Sequence, residues 1–74
     1  MFTVLVFKTS VERKQDIEQL RPLLDQLINP GERWNFDLED CDNILRVETR
    51  HIDPNTVTLA LAKRGFYCIE LDDG

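Results

Sequence analysis

Seventy-four residues allow a single domain, 1–74, whose folding removes only about 60% of the chain's surface from water, too little to enclose a large catalytic cavity. The 42% hydrophobic and 31% charged residues are a globular composition, and nine Lys and Arg against fourteen Asp and Glu leave a net charge of -5. That charge repels phosphate backbones and argues against nucleic acid as a partner. The opening MFTVLVF has no basic lead and an apolar run too short for a signal peptide or a membrane span. The expectation is therefore a cytoplasmic protein with no membrane partner, in which Cys41 and Cys68 are free thiols.

Residues 2–7, FTVLVF, are β-branched and aromatic and predict a central strand. Thr9 followed by Glu12 fits a capping box, which places the start of a helix near Ser10. Ile17, Leu20, Leu24, Leu27 and Ile28 then recur at helical spacing, so the helix is expected to run to about Asn29 and stop at Pro30-Gly31. Pro22 falls inside it, but the apolar stripe continues in phase, which favours one kinked helix over two short ones.

Residues 34–39 alternate, with Trp34, Phe36 and Leu38 inward and Asn35, Asp37 and Glu39 outward. Residues 40–43, DCDN, read as a turn, and 44–49 as a second strand with Leu45 and Val47 on one face and Arg46 and Glu48 on the other. Asp53-Pro54 starts a second helix, which is expected to bury Val57, Ala60 and Leu61 and to run to about Arg64, where Gly65 ends it. Residues 66–71 form a last strand with Tyr67, Ile69 and Leu71 inward and Cys68 and Glu70 outward, followed by a polar tail at 72–74.

This βαββαβ order in so short a chain predicts an α+β ferredoxin-like two-layer sandwich. Its four-stranded antiparallel sheet has strand order 4-1-3-2, with both helices on one face.

At the level of whole-chain layout, the sequence resembles the heavy-metal-associated domain of copper chaperones and metal-transporting ATPases. The likeness is carried by the first strand leading into a polar loop, the helix closing on Pro30-Gly31, the alternating hairpin and the segment LAKRGFYCIEL around Gly65. The resemblance implies the ferredoxin-like fold and, in the family, a CxxC metal clasp in the loop after the first strand. That pair would fall on Ser10 and Arg13, or on Thr9 and Glu12, and neither choice supplies a thiolate.

Cys41 in the hairpin turn and Cys68 in the last strand lie on opposite edges of such a sheet, so neither a bridge nor a shared metal ion is expected. No cofactor is expected either. The acidic run Asp37, Glu39, Asp40 and Asp42 lacks the glycine and distal glutamate of a calcium loop and reads as a solvated hairpin. His51 has no partner at a recognisable catalytic spacing and reads as an exposed loop residue.

Two weak candidate sites remain. Thr9, Ser10 and Arg13 sit where helix amides would meet an anion. The open sheet face would present Phe2, Val4 and Val6 beside Arg46, Glu48 and Cys68 if Leu5 and Phe7 face the helices. The expectation is a noncatalytic binding module acting on a protein partner or by self-association. The alternative is a metal-handling protein with an unconventional or intersubunit site built from Cys41 or Cys68.

Overall fold

The structure, a computed structural model, describes residues 2–39 and 41–71. Asp40 in the hairpin turn and the polar tail 72–74 lie outside the described residues. The elements in order are β1 (Thr3–Thr9), α1 (Lys14–Leu27), β2 (Arg33–Asp37), β3 (Ile44–Thr49), α2 (Pro54–Ala62) and β4 (Cys68–Glu70). They form one four-stranded sheet in the order β2-β3-β1-β4, with all three ladders antiparallel. This is the ferredoxin-like sandwich expected from the element order. No helix among the described residues is long and apolar enough to cross a membrane.

Register decides which residues enter the core. Leu5 stands opposite Val47 and Phe7 opposite Leu45, while Trp34 and Phe36 of β2 stand opposite the same two β3 residues. These side chains share the face covered by the helices, where Leu20 and Leu24 of α1 and Val57 and Leu61 of α2 are buried with them. Paired strand residues point to the same side of a sheet, so Val4, Val6 and Lys8 lie on the uncovered face with Ile44, Arg46 and Glu48.

Three expectations need correction. The first concerns the start of α1. The Thr9/Glu12 capping box does not form, because β1 continues to Thr9 and α1 begins only at Lys14, behind Arg13 with no side-chain cap. Residues 10–13 cross the intervening gap, and in doing so place Val11 wholly in the core. A helix begun at Ser10 would give up that burial and the Thr9–Cys68 pair of the ladder. The carboxyl end of α1 is likewise earlier than Asn29, since Ile28 is already extended. Pro22 is carried inside a single helix, as its in-phase stripe implied.

The second concerns β4, whose faces are reversed. Cys68 is 4% exposed and packs in the core, whereas Tyr67 and Ile69 are 50% and 57% exposed. The cause lies upstream. Gly65, at φ +88, closes α2 with a Schellman turn, the Phe66 amide donating to the Leu61 carbonyl and the Gly65 amide to that of Ala62. That turn aims Phe66 at the core, and the period-2 alternation then carries Cys68 inward. Four consecutive apolar residues at 66–69 gave the sequence no means of choosing the parity. The third correction is one of length: α2 stops at Ala62 rather than Arg64, and β2 at Asp37 rather than Glu39.

The start of α2 is as expected. Asp53 accepts a bond from the Asn55 amide at 2.9 Å, Pro54 follows it, and Ile52 packs on the cluster that holds Val57.

Thr9 holds the crossing loop. Its buried hydroxyl donates to the Asn43 carbonyl at 2.7 Å and accepts from the Val11 amide at 3.2 Å. Thr9→Val keeps the shape and deletes both bonds, leaving two backbone groups to lose a partner, so urea unfolding should show a loss of about 1–3 kcal/mol.

Candidate functional site

Two places in the fold gather chemistry, and only one of them was visible in the sequence. The other is built on Glu32, whose side chain is 3% exposed. The Asn29-Pro30-Gly31-Glu32 turn creates it: the Glu32 amide donates to the Asn29 carbonyl at 3.0 Å, with Gly31 at φ +90 as a type II turn requires. The carboxylate folds back over this turn. Its Oε1 accepts from the Asn29 amide at 2.8 Å, and its Oε2 from the Arg50 amide at 2.6 Å and the Thr49 hydroxyl at 2.9 Å. His51 Nδ1 stands 3.1 Å from the same oxygen. A carboxylate only accepts, so this geometry places the ring proton on Nδ1 and leaves Nε2 as the lone-pair nitrogen in the neutral ring. Burial pushes the Glu32 carboxyl up, but the amides of Asn29 and Arg50, the Thr49 hydroxyl and the His51 ring outweigh it and hold it at about 2.

The bonds of this cluster are spent internally. The Thr49 hydroxyl, while donating to Glu32, accepts from the amides of His51 and Ile52 at 3.2 and 3.1 Å, so it has no free lone pair with which to act as a nucleophile. The carboxylate ties the α1–β2 turn to the β3–α2 loop, and His51 is an exposed residue with a buried partner rather than an isolated one. Sequence reasoning missed this because Thr49 and Arg50 lie 17 and 18 residues beyond Glu32. The only local signal was an acidic residue closing a Pro-Gly turn.

The loop residues Thr9, Ser10 and Arg13 do not converge on a common point. Thr9 is buried, with its hydroxyl engaged as described. Ser10 Oγ accepts from the Tyr67 amide at 3.0 Å and so staples the loop to the segment before β4. Arg13 is exposed and faces Asp16 at 3.8 Å. The cysteines are both free, Cys41 exposed and Cys68 buried. Burial pushes the Cys68 thiol up to about 11, against a weaker lowering by its bond to Thr58, which opposes the thiolate a soft metal needs. Among the described residues no three His, Cys, Asp or Glu side chains come together as a metal site.

The second place is the open sheet face, laid out in rows by the ladders. Val4, Glu48 and Arg33 form one row across β1, β3 and β2, and Val6, Arg46 and Asn35 the next. Ile69, Lys8, Ile44 and Asp37 form the third, with β4 included. The β2–β3 half is charged, with Arg33 3.1 Å from Glu48 and Arg46 3.8 Å from Asp37. The β1–β4 half is mainly apolar, with Val4 50% and Ile69 57% exposed, and carries one charge, Lys8, which lies 3.6 Å from Asp42. Phe2 continues this half at one end, where the Arg50 guanidinium lies 4.4 Å from its ring centroid. The structure thus brings Phe2, Val4, Val6, Arg46 and Glu48 to one surface, and it removes Cys68, which lies under the helices. Ile69 takes its place there.

Two expected outcomes follow from these environments. The Glu32 contribution to stability is complete above its ordinary value of 4.5 and is lost as the pH falls toward about 2, because the unfolded chain takes up the proton first. Glu32→Gln should therefore be less stable than the wild type at neutral pH, with the gap closing across that window in urea melts. With a thiol alkylating reagent, the native protein should label rapidly at Cys41 and at Cys68 only after unfolding, read by intact mass.

A scan of protein-family models finds no match to this chain, and searches of curated proteins and of solved structures find none either. The likeness to heavy-metal-associated domains thus rests on the sequence features that suggested it and gains nothing from these comparisons.

Proposed function

We propose that this chain is a noncatalytic protein-binding module, built on the heavy-metal-associated layout without its metal clasp, and that the open face of its sheet is the contact surface. One observation carries the reading. The uncovered face is divided into a mainly apolar half, with Val4, Ile69 and Phe2 at 50%, 57% and 42% exposure and Lys8 as its one charge, and a half ordered by cross-strand ion pairs. Apolar side chains grouped on a rigid sheet and bordered by charge have the make-up of a contact patch, with an apolar centre and a polar rim. Each ion pair is itself exposed and contributes little to folding, so the charged half serves orientation more than stability. The partner that fits is a protein with an apolar ridge and mixed charge beside it. The net charge of -5 works against nucleic acid, and a cytoplasmic setting keeps both thiols reduced.

The test is a double substitution, Val4→Asp with Ile69→Asp, on two exposed positions whose change leaves the core intact. A protein captured by the wild type, then purified and titrated against it, should bind the double variant at least about tenfold more weakly. Equal affinity for both forms, with the fold intact by circular dichroism, would remove the open face from the reading.

A further inference from the structure

The two edges of the sheet are not alike. β4 offers only three residues, Cys68–Glu70, a length that limits pairing with another strand. β2 offers five, Arg33–Asp37, and pairs with β3 at every one of them, so no bulge twists its outer side away. It contains no proline or glycine, and its only charges, Arg33 and Asp37, are of opposite sign and sit at its two ends.

The sequence of the strand indicates a partner for this edge. RWNFD is self-complementary when laid antiparallel on a second copy of itself. With Asn35 facing Asn35 of the second copy on a two-fold axis, Arg33 stands opposite Asp37 and Trp34 opposite Phe36, each pair occurring twice. Sliding the strands by two residues either way sets Arg33 or Asp37 against Asn35 and loses both charge pairs, leaving one aromatic pair, Trp34 on Trp34 or Phe36 on Phe36. Opposite charges and paired aromatics are the cross-strand combinations that favour pairing. Within the chain both end residues of β2 already lean back toward β3. Arg33 meets Glu48 through Nε, and a guanidinium has further donors beyond that nitrogen, while Asp37 is 3.8 Å from Arg46.

The helix side of the edge is also unfinished. An open groove of about 380 Å³ runs between α1 and β2, lined by Ile17, Ile28, Trp34 and Phe36 with Arg21 and Asp25. Trp34 is only half-buried there, although its indole donates to Asp25 at 2.9 Å and the Arg21 guanidinium lies 5.6 Å from its ring.

We infer that β2 is the contact edge of a homodimer, in which two copies pair antiparallel about Asn35 into one continuous sheet. The interface uses atoms other than the apolar half of the open face, so it goes beyond the partner-binding reading, and either can fail alone. In the dimer the charged halves meet at the centre, and the two apolar strips of Phe2, Val4, Val6 and Ile69 lie toward the outer ends.

The test is a charge swap read by sedimentation velocity over a dilution series, with circular dichroism to verify folding. Arg33→Asp alone places like charges opposite one another in both pairs, and Asp37→Arg alone does the same with the opposite sign. Each variant by itself should dimerise roughly tenfold or more weakly than the wild type. An equimolar mixture of the two restores both pairs and should return to a dimer, with the emission of Trp34, the single tryptophan, reporting the same change. A wild type that remains monomeric at millimolar concentration would overturn the inference. So would a dimer indifferent to both substitutions, or two weakened variants that fail to recover on mixing.

Discussion

A carboxylate removed from water must be satisfied by donors or protonated, and this fold solves that problem at Glu32. Burial alone would push the group up, yet four donors reach it from residues 29, 49, 50 and 51 and hold it down at about 2. The consequence is structural. The donors come from the turn that ends the α1 crossover and from the loop that leaves β3, so one charge fixes where β2 begins relative to where β3 ends. With that end pinned, the five-pair ladder from Arg33–Glu48 to Asp37–Ile44 has its register set, and with it the faces of Trp34 and Phe36.

Side-chain hydroxyls do similar work at the other end of the sheet. Thr9 receives the Val11 amide and holds the Asn43 carbonyl, and Ser10 receives the Tyr67 amide, so the loop after β1 is tied to the hairpin turn and to the segment just before β4. In a chain with so small a core, every loop that crosses the helix layer must satisfy its backbone without burying much of itself. The loop after β1 is thus filled by these internal bonds and by a wholly buried Val11.

The face reversal of β4 alters the surface more than the core. Burying Cys68 takes a thiol out of reach and raises its pKa, while exposing Ile69 adds an apolar residue to the β1 side of the open face. The result is an asymmetric sheet, mainly apolar toward β4 and charged toward β2. The short β4 edge limits pairing by its length more than the longer, regular β2 edge does.

The sequence by itself determined the element order, the strand order, the inward face of β2 and β3, the Asp53-Pro54 helix start and the Gly65 stop, because each follows from local periodicity or from a backbone preference carried by a few adjacent residues. It offered Phe2, Val4 and Val6 as neighbours of Arg46 and Glu48 only on the condition that Leu5 and Phe7 face the helices, a parity that the apolar run of β1 leaves open and that the structure decides. Tertiary structure alone decided three further things. The parity of β4 depended on how the turn at Gly65 aims Phe66, since residues 66–69 are apolar throughout. The late start of α1 depended on Val11 gaining more from the core than Thr9 would from capping. The Glu32 cluster depended on donors 17 and 18 residues away, brought together only when β2 and β3 pair. Local pattern records what a segment prefers, and a contact between distant segments leaves no periodic trace in either of them.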